Sequence, residues 1–234
     1  MNGRTQHRRR CIPSAHIWAR AAHDLRQPVQ VMLLQMQMLD EPSSRAERQR
    51  AVRQIETALL SLRDMLEVLA QLSRIEAGLQ VVSLRTCSLA EILGPIAGEM
   101  AEVAEARGAR LRCRRTRALV RSHPKLLAMA IRSLFLNAIE LGTGGDITAG
   151  CRRRGDGIAF EVSFGGGTLD PARRANAFVT LSEQPGEAAP GRLGLGLDLL
   201  QHLCRHLGHD LEARSEAGGI LSFSIGLPRA TAAR

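Results

Sequence analysis

The sequence predicts an α + α/β protein: an N-terminal helical hairpin followed by an α/β sandwich. Two observations predict this class. Apolar residues recur at helical spacing through the first 78 positions, whereas from about residue 87 short β-like runs alternate with helices. In addition, 44% of the residues are hydrophobic but only 3% are aromatic, so the core is expected to be mostly aliphatic.

The first helix is predicted from Ser14, a suitable N-cap, to Leu39. Pro28 lies inside it and is expected to kink it. One apolar stripe runs along the helix at steps of four, three, four and three: Leu25, Val29, Met32, Met36 and Leu39.

The second helix is predicted over about 44–77, with Gly78 as the residue that ends it. Its apolar residues alternate at steps of three and four, which is coiled-coil spacing. They are Val52, Ile55, Leu59, Leu62, Leu66 and Leu69. Because one hairpin cannot cover both apolar stripes, a homodimeric four-helix bundle is expected.

The second unit begins with a predicted helix over Ser88–Arg107, closed by Gly108, and continues with helices at about 124–141 and 194–207. The short runs between them look like antiparallel strands. They are 110–114, 146–152, 158–164, 209–215 and 220–227. The expected division is a basic arm at 1–13, a hairpin at 14–80, an α/β domain at 87–228 and a tail at 229–234.

Composition argues against several functional classes. The net charge of +9 comes almost wholly from arginine, but no aromatic residues interleave with it, so direct nucleic-acid binding is not expected. The chain has no apolar run of about 18 residues, which argues against a membrane span. Its five scattered cysteines form no Cys-x-x-Cys pair, as expected for reduced thiols in a cytoplasmic protein.

His23 is the first candidate functional residue. It lies two positions before Leu25, about 200° around a helix, so it is expected on the face away from the apolar stripe. An exposed imidazole beside the carboxylate of Asp24 can act as a nucleophile. A plain surface histidine is the alternative that this pattern alone leaves open.

Five segments in order resemble the motifs of two-component sensor histidine kinases. They are a His box at His23–Pro28, the end of a second helix at Leu72–Gly78, an asparagine box at Leu134–Ile139, a second glycine box at Gly194–Leu197, and a last hairpin from Ser215 to Pro228. The resemblance covers about residues 15–228. It implies a dimerisation and phosphotransfer hairpin followed by an ATP-binding domain of the gyrase, Hsp90 and kinase type.

In this family His23 would be the phosphoacceptor, and Asp24 would take or orient the proton of the other ring nitrogen. Gln27, one turn later, would face the same side and could position water for dephosphorylating a response regulator. The resemblance also implies ATP and Mg²⁺, with Asn137 holding the ion and with Gly166, Gly194 and Gly196 letting backbone approach the nucleotide.

The sequence departs from the family at the first glycine box. The aspartate that binds the adenine amino group falls on Phe164, so a hydrogen bond worth about 1–3 kcal/mol would be lost. Two functions therefore stay open. One is an ATP-dependent histidine autokinase that passes phosphate to a response-regulator aspartate. The other is a dimeric phosphotransferase or docking protein that does not use ATP. The start of the given sequence close to the His box also favours this second function.

The helix at 194–207 raises one further possibility. His202 and His206 lie four residues apart, with Cys204 and His209 nearby, which is possible spacing for a metal pair. An ordinary helix of the same family is the favoured interpretation, because no carboxylate or second cysteine completes a tetrahedral set.

Overall fold

The computed structural model describes residues 15–40, 44–142, 144–165, 195–215 and 219–230. Within these ranges, side chains are described except at 15–24, 40, 195, 196 and 198. No helix in the described ranges is long and apolar enough to cross a membrane.

The N-terminal hairpin consists of α1 (Ala15–Asp40) and α2 (Arg45–Glu76), which pack on each other. Ser44 and Glu47 form a capping box that starts α2. The Glu47 amide donates to Ser44 Oγ at 3.2 Å, and the Ser44 amide donates to Glu47 Oε2 at 2.7 Å. After α2, Gly78 adopts a φ of 70°, a left-handed conformation that glycine reaches without steric cost. The predicted hairpin is confirmed.

The α/β unit follows in chain order. Its elements are β1 (Arg85–Ser88), α3 (Leu89–Ala106), β2 (Ala109–Cys113), β3 (Leu119–Ser122), α4 (Pro124–Leu141), β4 (Gly145–Arg154), β5 (Gly157–Gly165), α5 (Leu195–Leu207), β6 (Asp210–Ser215) and β7 (Ile220–Leu227). The predicted helices and strands are all present, with ends shifted by a few residues at most. The short strands β1 and β3 were not predicted.

Five strands form the main sheet in the order β2-β4-β5-β7-β6. Three of its four pairings are antiparallel as expected, but β2 and β4 are parallel. The expectation of antiparallel strands was wrong for this pair because the chain leaves β2, passes through β3 and α4, and returns by a crossover. Strands β1 and β3 form a separate two-stranded ladder.

The core lies between the sheet and the helices α3, α4 and α5. Four phenylalanines of the described residues are buried there. Phe135 and Phe160 meet edge to face with ring centroids 5.9 Å apart, and Phe164 and Phe223 meet at 5.5 Å. Aliphatic side chains make up most of the rest, as the composition predicts.

His209, the residue before β6, connects that strand to β3. Its ring is buried, and its Nε2 lies 2.7 Å from Ser122 Oγ at the end of β3. Burial lowers the pKa of His209 below its ordinary value of 6.5. The folded protein therefore holds this ring neutral at a pH where the unfolded chain already binds a proton.

This difference predicts a pH-dependent stability. As the pH falls below about 6.5, the unfolded state gains the proton first, so the free energy of unfolding decreases. In His209→Gln we expect a shallower decrease between pH 7.5 and 5.5, by up to about 1.4 kcal/mol per pH unit. Urea unfolding at several pH values measures both slopes, and equal slopes would contradict the assignment.

Candidate functional site

The His box lies on α1. His23 and Asp24 are in the helix, and their side chains lie outside the described part of the structure. Gln27 is exposed, and its position one turn after His23 puts the two residues on the same face. Pro28 is buried within α1. The backbone therefore permits the predicted grouping of His23 with Gln27.

Asn137 lies on α4, where the predicted asparagine box falls. The residue is 9% exposed, and its Nδ2 donates to the Ser133 carbonyl oxygen at 2.7 Å. This bond directs the amide nitrogen back along α4, so the amide oxygen is on the opposite side of the group. An amide oxygen is a ligand that Mg²⁺ accepts, so Asn137 is chemically suited to its predicted role.

A crevice next to Asn137 lies between α2 of the hairpin and α4. Ser61, Asp64 and Met65 line one wall, while Asn137 and Glu140 line the other, on α4. Ser61 Oγ donates a hydrogen bond to Glu140 Oε1 across the crevice. The asparagine box therefore faces the hairpin rather than open solvent.

An ion-pair network continues from this crevice. Arg132 Nε on α4 lies 2.6 Å from Asp64 Oδ2 on α2, and the Arg132 guanidinium also donates to both carboxylate oxygens of Glu99 on α3. Burial raises the pKa of Asp64, although Arg132 and Arg63 oppose the shift. Hydrogen bonds from Arg132 lower the pKa of Glu99. Arg132 thus connects the hairpin to two helices of the α/β unit.

A third contact between α2 and the α/β unit lies at Thr57, one turn before Ser61 on α2. Arg107, just after α3, donates from Nε to Thr57 Oγ1 at 3.1 Å, and burial lowers the pKa of this guanidinium. Thr57, Ser61 and Asp64 recur at steps of four and three, so they form one buried polar stripe on α2. Sequence reasoning missed this stripe, although polar residues at helical spacing could have indicated it.

Phe164 occupies the position predicted for the adenine-binding aspartate. The residue is 2% exposed at the end of β5, and its strand partners are Ile147 and Leu221. It borders a pocket of about 230 Å³ that Ile139 and Arg107 also line. Phe164 therefore provides an apolar wall without a hydrogen-bond acceptor.

The predicted glycines are only partly described. Gly166 and Gly194 lie outside the described residues, while Gly196 is in the first turn of α5. The first turn of a helix has free backbone N–H groups that attract phosphate.

The histidines of α5 give little support to the metal alternative. Cys204, between His202 and His206, is 1% exposed, and burial raises its pKa to about 12, which disfavours the thiolate that a metal requires. Among the described residues, no group of three or more His, Cys, Asp or Glu side chains is placed to hold a metal ion.

Two family models match the chain in the order of its two units. The His Kinase A (phospho-acceptor) domain matches residues 16–78, and the histidine kinase-, DNA gyrase B-, and HSP90-like ATPase matches residues 122–231. Both ranges include residues predicted above to be functional: His23 in the first, and Asn137 and Phe164 in the second.

Two curated relatives are each 28% identical to the chain. The sensor protein TorS of Escherichia coli aligns over 92% of this chain and 24% of its own length. The alginate biosynthesis sensor protein KinB of Pseudomonas aeruginosa aligns over 89% of this chain and 36% of its own length. The chain thus spans about a quarter to a third of the relatives it matches.

Solved structures show the same fold. The Acinetobacter baumannii histidine kinase AdeS superposes with a TM-score of 0.56 at 16% identity, covering 89% of this chain and 98% of that one. Full-length ShkA in complex with AMPPNP superposes with a TM-score of 0.57 at 18% identity, covering 94% of this chain and 46% of that one. The two domain models, which match in order along the chain, and the two sensor-protein relatives show that the chain belongs to the two-component histidine kinases and contains their transmitter core.

Proposed function

We propose that this chain phosphorylates itself on His23 with ATP as the donor and passes the phosphoryl group to an aspartate of a response regulator. The match of residues 16–78 to a phospho-acceptor domain carries the proposal, because His23 lies in the predicted His box of that segment. The ATPase-type match that follows supplies a domain suited to the donor nucleotide.

In the proposed reaction an imidazole nitrogen of His23 attacks the γ-phosphorus of ATP, a phosphorus–nitrogen bond forms, and ADP leaves. Asp24 takes or orients the proton on the other ring nitrogen, which makes the attacking nitrogen a better nucleophile. Gln27 is exposed one turn later, where an amide can hold water during dephosphorylation of the partner. In the second transfer the phosphoryl group moves from His23 to a carboxylate oxygen.

Residues of the α/β unit support nucleotide binding only in part. Asn137 offers an amide oxygen for Mg²⁺, and Gly196 lies in a helix N-terminal turn suited to phosphate. One solved structural neighbour was crystallised with AMPPNP, which supports a nucleotide in the equivalent domain here. Phe164 does not fit the family's recognition of adenine, because its ring accepts no hydrogen bond from the amino group.

A homodimer is the proposed assembly. The hairpin leaves apolar side chains exposed at the positions of its predicted seams and beside them. On α1 these are Val29, Val31, Leu33, Leu34, Met36 and Met38, and on α2 they are Val52, Leu59 and Leu66. A second copy of the hairpin would bury them in a four-helix bundle.

Replacing His23 tests the phosphoacceptor. We expect His23→Ala to abolish incorporation of label from γ-labelled ATP, because no other nitrogen in the His box would replace it. His16→Ala is the matched control, since His16 lies two turns earlier on α1, and it should keep the label. A different outcome would contradict autokinase activity: the wild-type protein takes up no label from ATP but still accepts phosphate from a phosphorylated response regulator. That outcome would support the phosphotransferase alternative.

Phe164 predicts weak selection of the nucleotide base. ATP and ITP differ at the position of the adenine amino group, and only a hydrogen-bond acceptor in the pocket can favour the amino group. We therefore expect the two nucleotides to bind with dissociation constants within about threefold of each other, against the roughly tenfold or greater difference that one specific hydrogen bond confers. Competition calorimetry with Mg²⁺ present measures the ratio, and a strong preference for ATP would contradict the prediction.

A charge placed on the hairpin seam tests the dimer. Leu59 is 51% exposed on α2, and we expect Leu59→Glu to convert a dimer into a monomer because the glutamate would be buried in the bundle. Leu79→Glu is the matched control, since Leu79 is 80% exposed beyond the end of α2. Light scattering coupled to gel filtration gives the masses, and a monomeric wild type would contradict the proposed assembly.

A further inference from the structure

We infer that α2, packed as in this structure, covers the face of α4 that would bind the Mg²⁺-nucleotide, so that this packing and nucleotide binding exclude each other. The inference rests on the proposed nucleotide-binding function and adds a regulatory contact to it. We call the contacts of Thr57, Ser61 and Asp64 with Arg107, Glu140 and Arg132 the α2 clamp.

The position of the asparagine box supports this inference. Ser133, Asn137 and Glu140 recur at steps of four and three, so they share one face of α4. All three line the crevice whose opposite wall is Ser61 and Asp64 of α2. Asn137 is only 9% exposed and lies in this crevice, so little of its amide is accessible to a hydrated Mg²⁺ while α2 stays in place.

Side-chain contacts in the crevice act in the same direction. Asp64 holds the Arg132 guanidinium, which Glu99 also binds, and Ser61 holds the Glu140 carboxyl group. A nucleotide that enters beside Asn137 has to break these contacts, because Ser61, Asp64 and Glu140 line the crevice.

The clamp is the polar part of the contact between α2 and the α/β unit. Thr57, Ser61 and Asp64 can exchange their contacts for water when this part of α2 moves. Further along α2, Val68, Leu69 and Leu72 are buried in the hydrophobic core, so opening of the clamp has to displace these side chains or pivot about them. When only a fraction of the molecules is open, the apparent nucleotide affinity is reduced by that fraction.

A reversible crosslink tests the exclusion directly. In the full chain, Ser61→Cys with Glu140→Cys places one thiol on each wall of the crevice, and because cysteine is shorter than glutamate, a short bis-methanethiosulfonate reagent joins the two thiols through reducible disulfides in the oxidised form. Binding of Mg²⁺-ADP is measured by calorimetry on the oxidised protein and again after reduction, with wild type treated alike to account for its native cysteines. We expect the oxidised variant to lose binding and the reduced variant to regain it.

A charge-neutral variant tests the clamp without a crosslink. Asp64→Asn removes one half of the ion pair with Arg132, and we expect Mg²⁺-ADP to bind about tenfold more tightly because more molecules are open. Asp146→Asn is the matched control, since the ion pair of Asp146 on β4, with Arg112 on β2 at 3.3 Å, lies within the sheet. Its affinity should equal that of wild type.

The outcomes separate the two proposals. Equal binding by the oxidised and reduced crosslink variants, or no gain in Asp64→Asn relative to Asp146→Asn, overturns the exclusion and leaves the kinase proposal standing. No binding by any of the proteins, wild type and Asp64→Asn included, overturns both the nucleotide-binding function and the exclusion.

Discussion

The packing of α4 is the constraint on which the rest of the structure depends. Residues along the whole helix are buried, because α4 lies against the sheet on one side and against α2, α3 and α5 on the others. Burying its leucines, isoleucines and Phe135 contributes about 1.5–3 kcal/mol for each side chain. Since Asn137 and Arg132 are on the same helix, hydrophobic packing also fixes the positions of the proposed magnesium ligand and of the ion pair with Asp64.

Local patterns in the sequence predicted the elements well. The helix at 124–141 was predicted with the bounds that α4 has, because His123 and Pro124 start it and its apolar content continues to Leu141. The strands β1 and β3 were missed because each has four residues and no alternation of apolar and polar side chains. The parallel pairing of β2 with β4 was missed because it depends on a crossover, which no local pattern encodes.

The candidate site was predictable where a motif is local and unpredictable where two distant segments meet. The His box and the asparagine box each lie within a few residues of chain, so their order predicts His23 and Asn137 as candidate site residues, and their roles stay predictions. The contacts of Arg132 with Asp64 and of Glu140 with Ser61 join residues 68 and 79 positions apart. A sequence shows a polar stripe on α2, but it does not show which helix the stripe contacts.

Phe164 and the α2 clamp act on the proposed nucleotide site from two sides. Under the two proposals, the phenylalanine removes one base-specific hydrogen bond and the clamp has to open before the phosphates enter, so each would lower the apparent nucleotide affinity by its own mechanism. The proposed clamp, unlike Phe164, also couples nucleotide binding to the position of the hairpin. Because coupling between two sites is reciprocal, a nucleotide that binds only the open form also releases the hairpin, and α1 with His23 becomes free to move when the donor is bound. Nucleotide binding and freedom of the phosphoacceptor helix would then rise together.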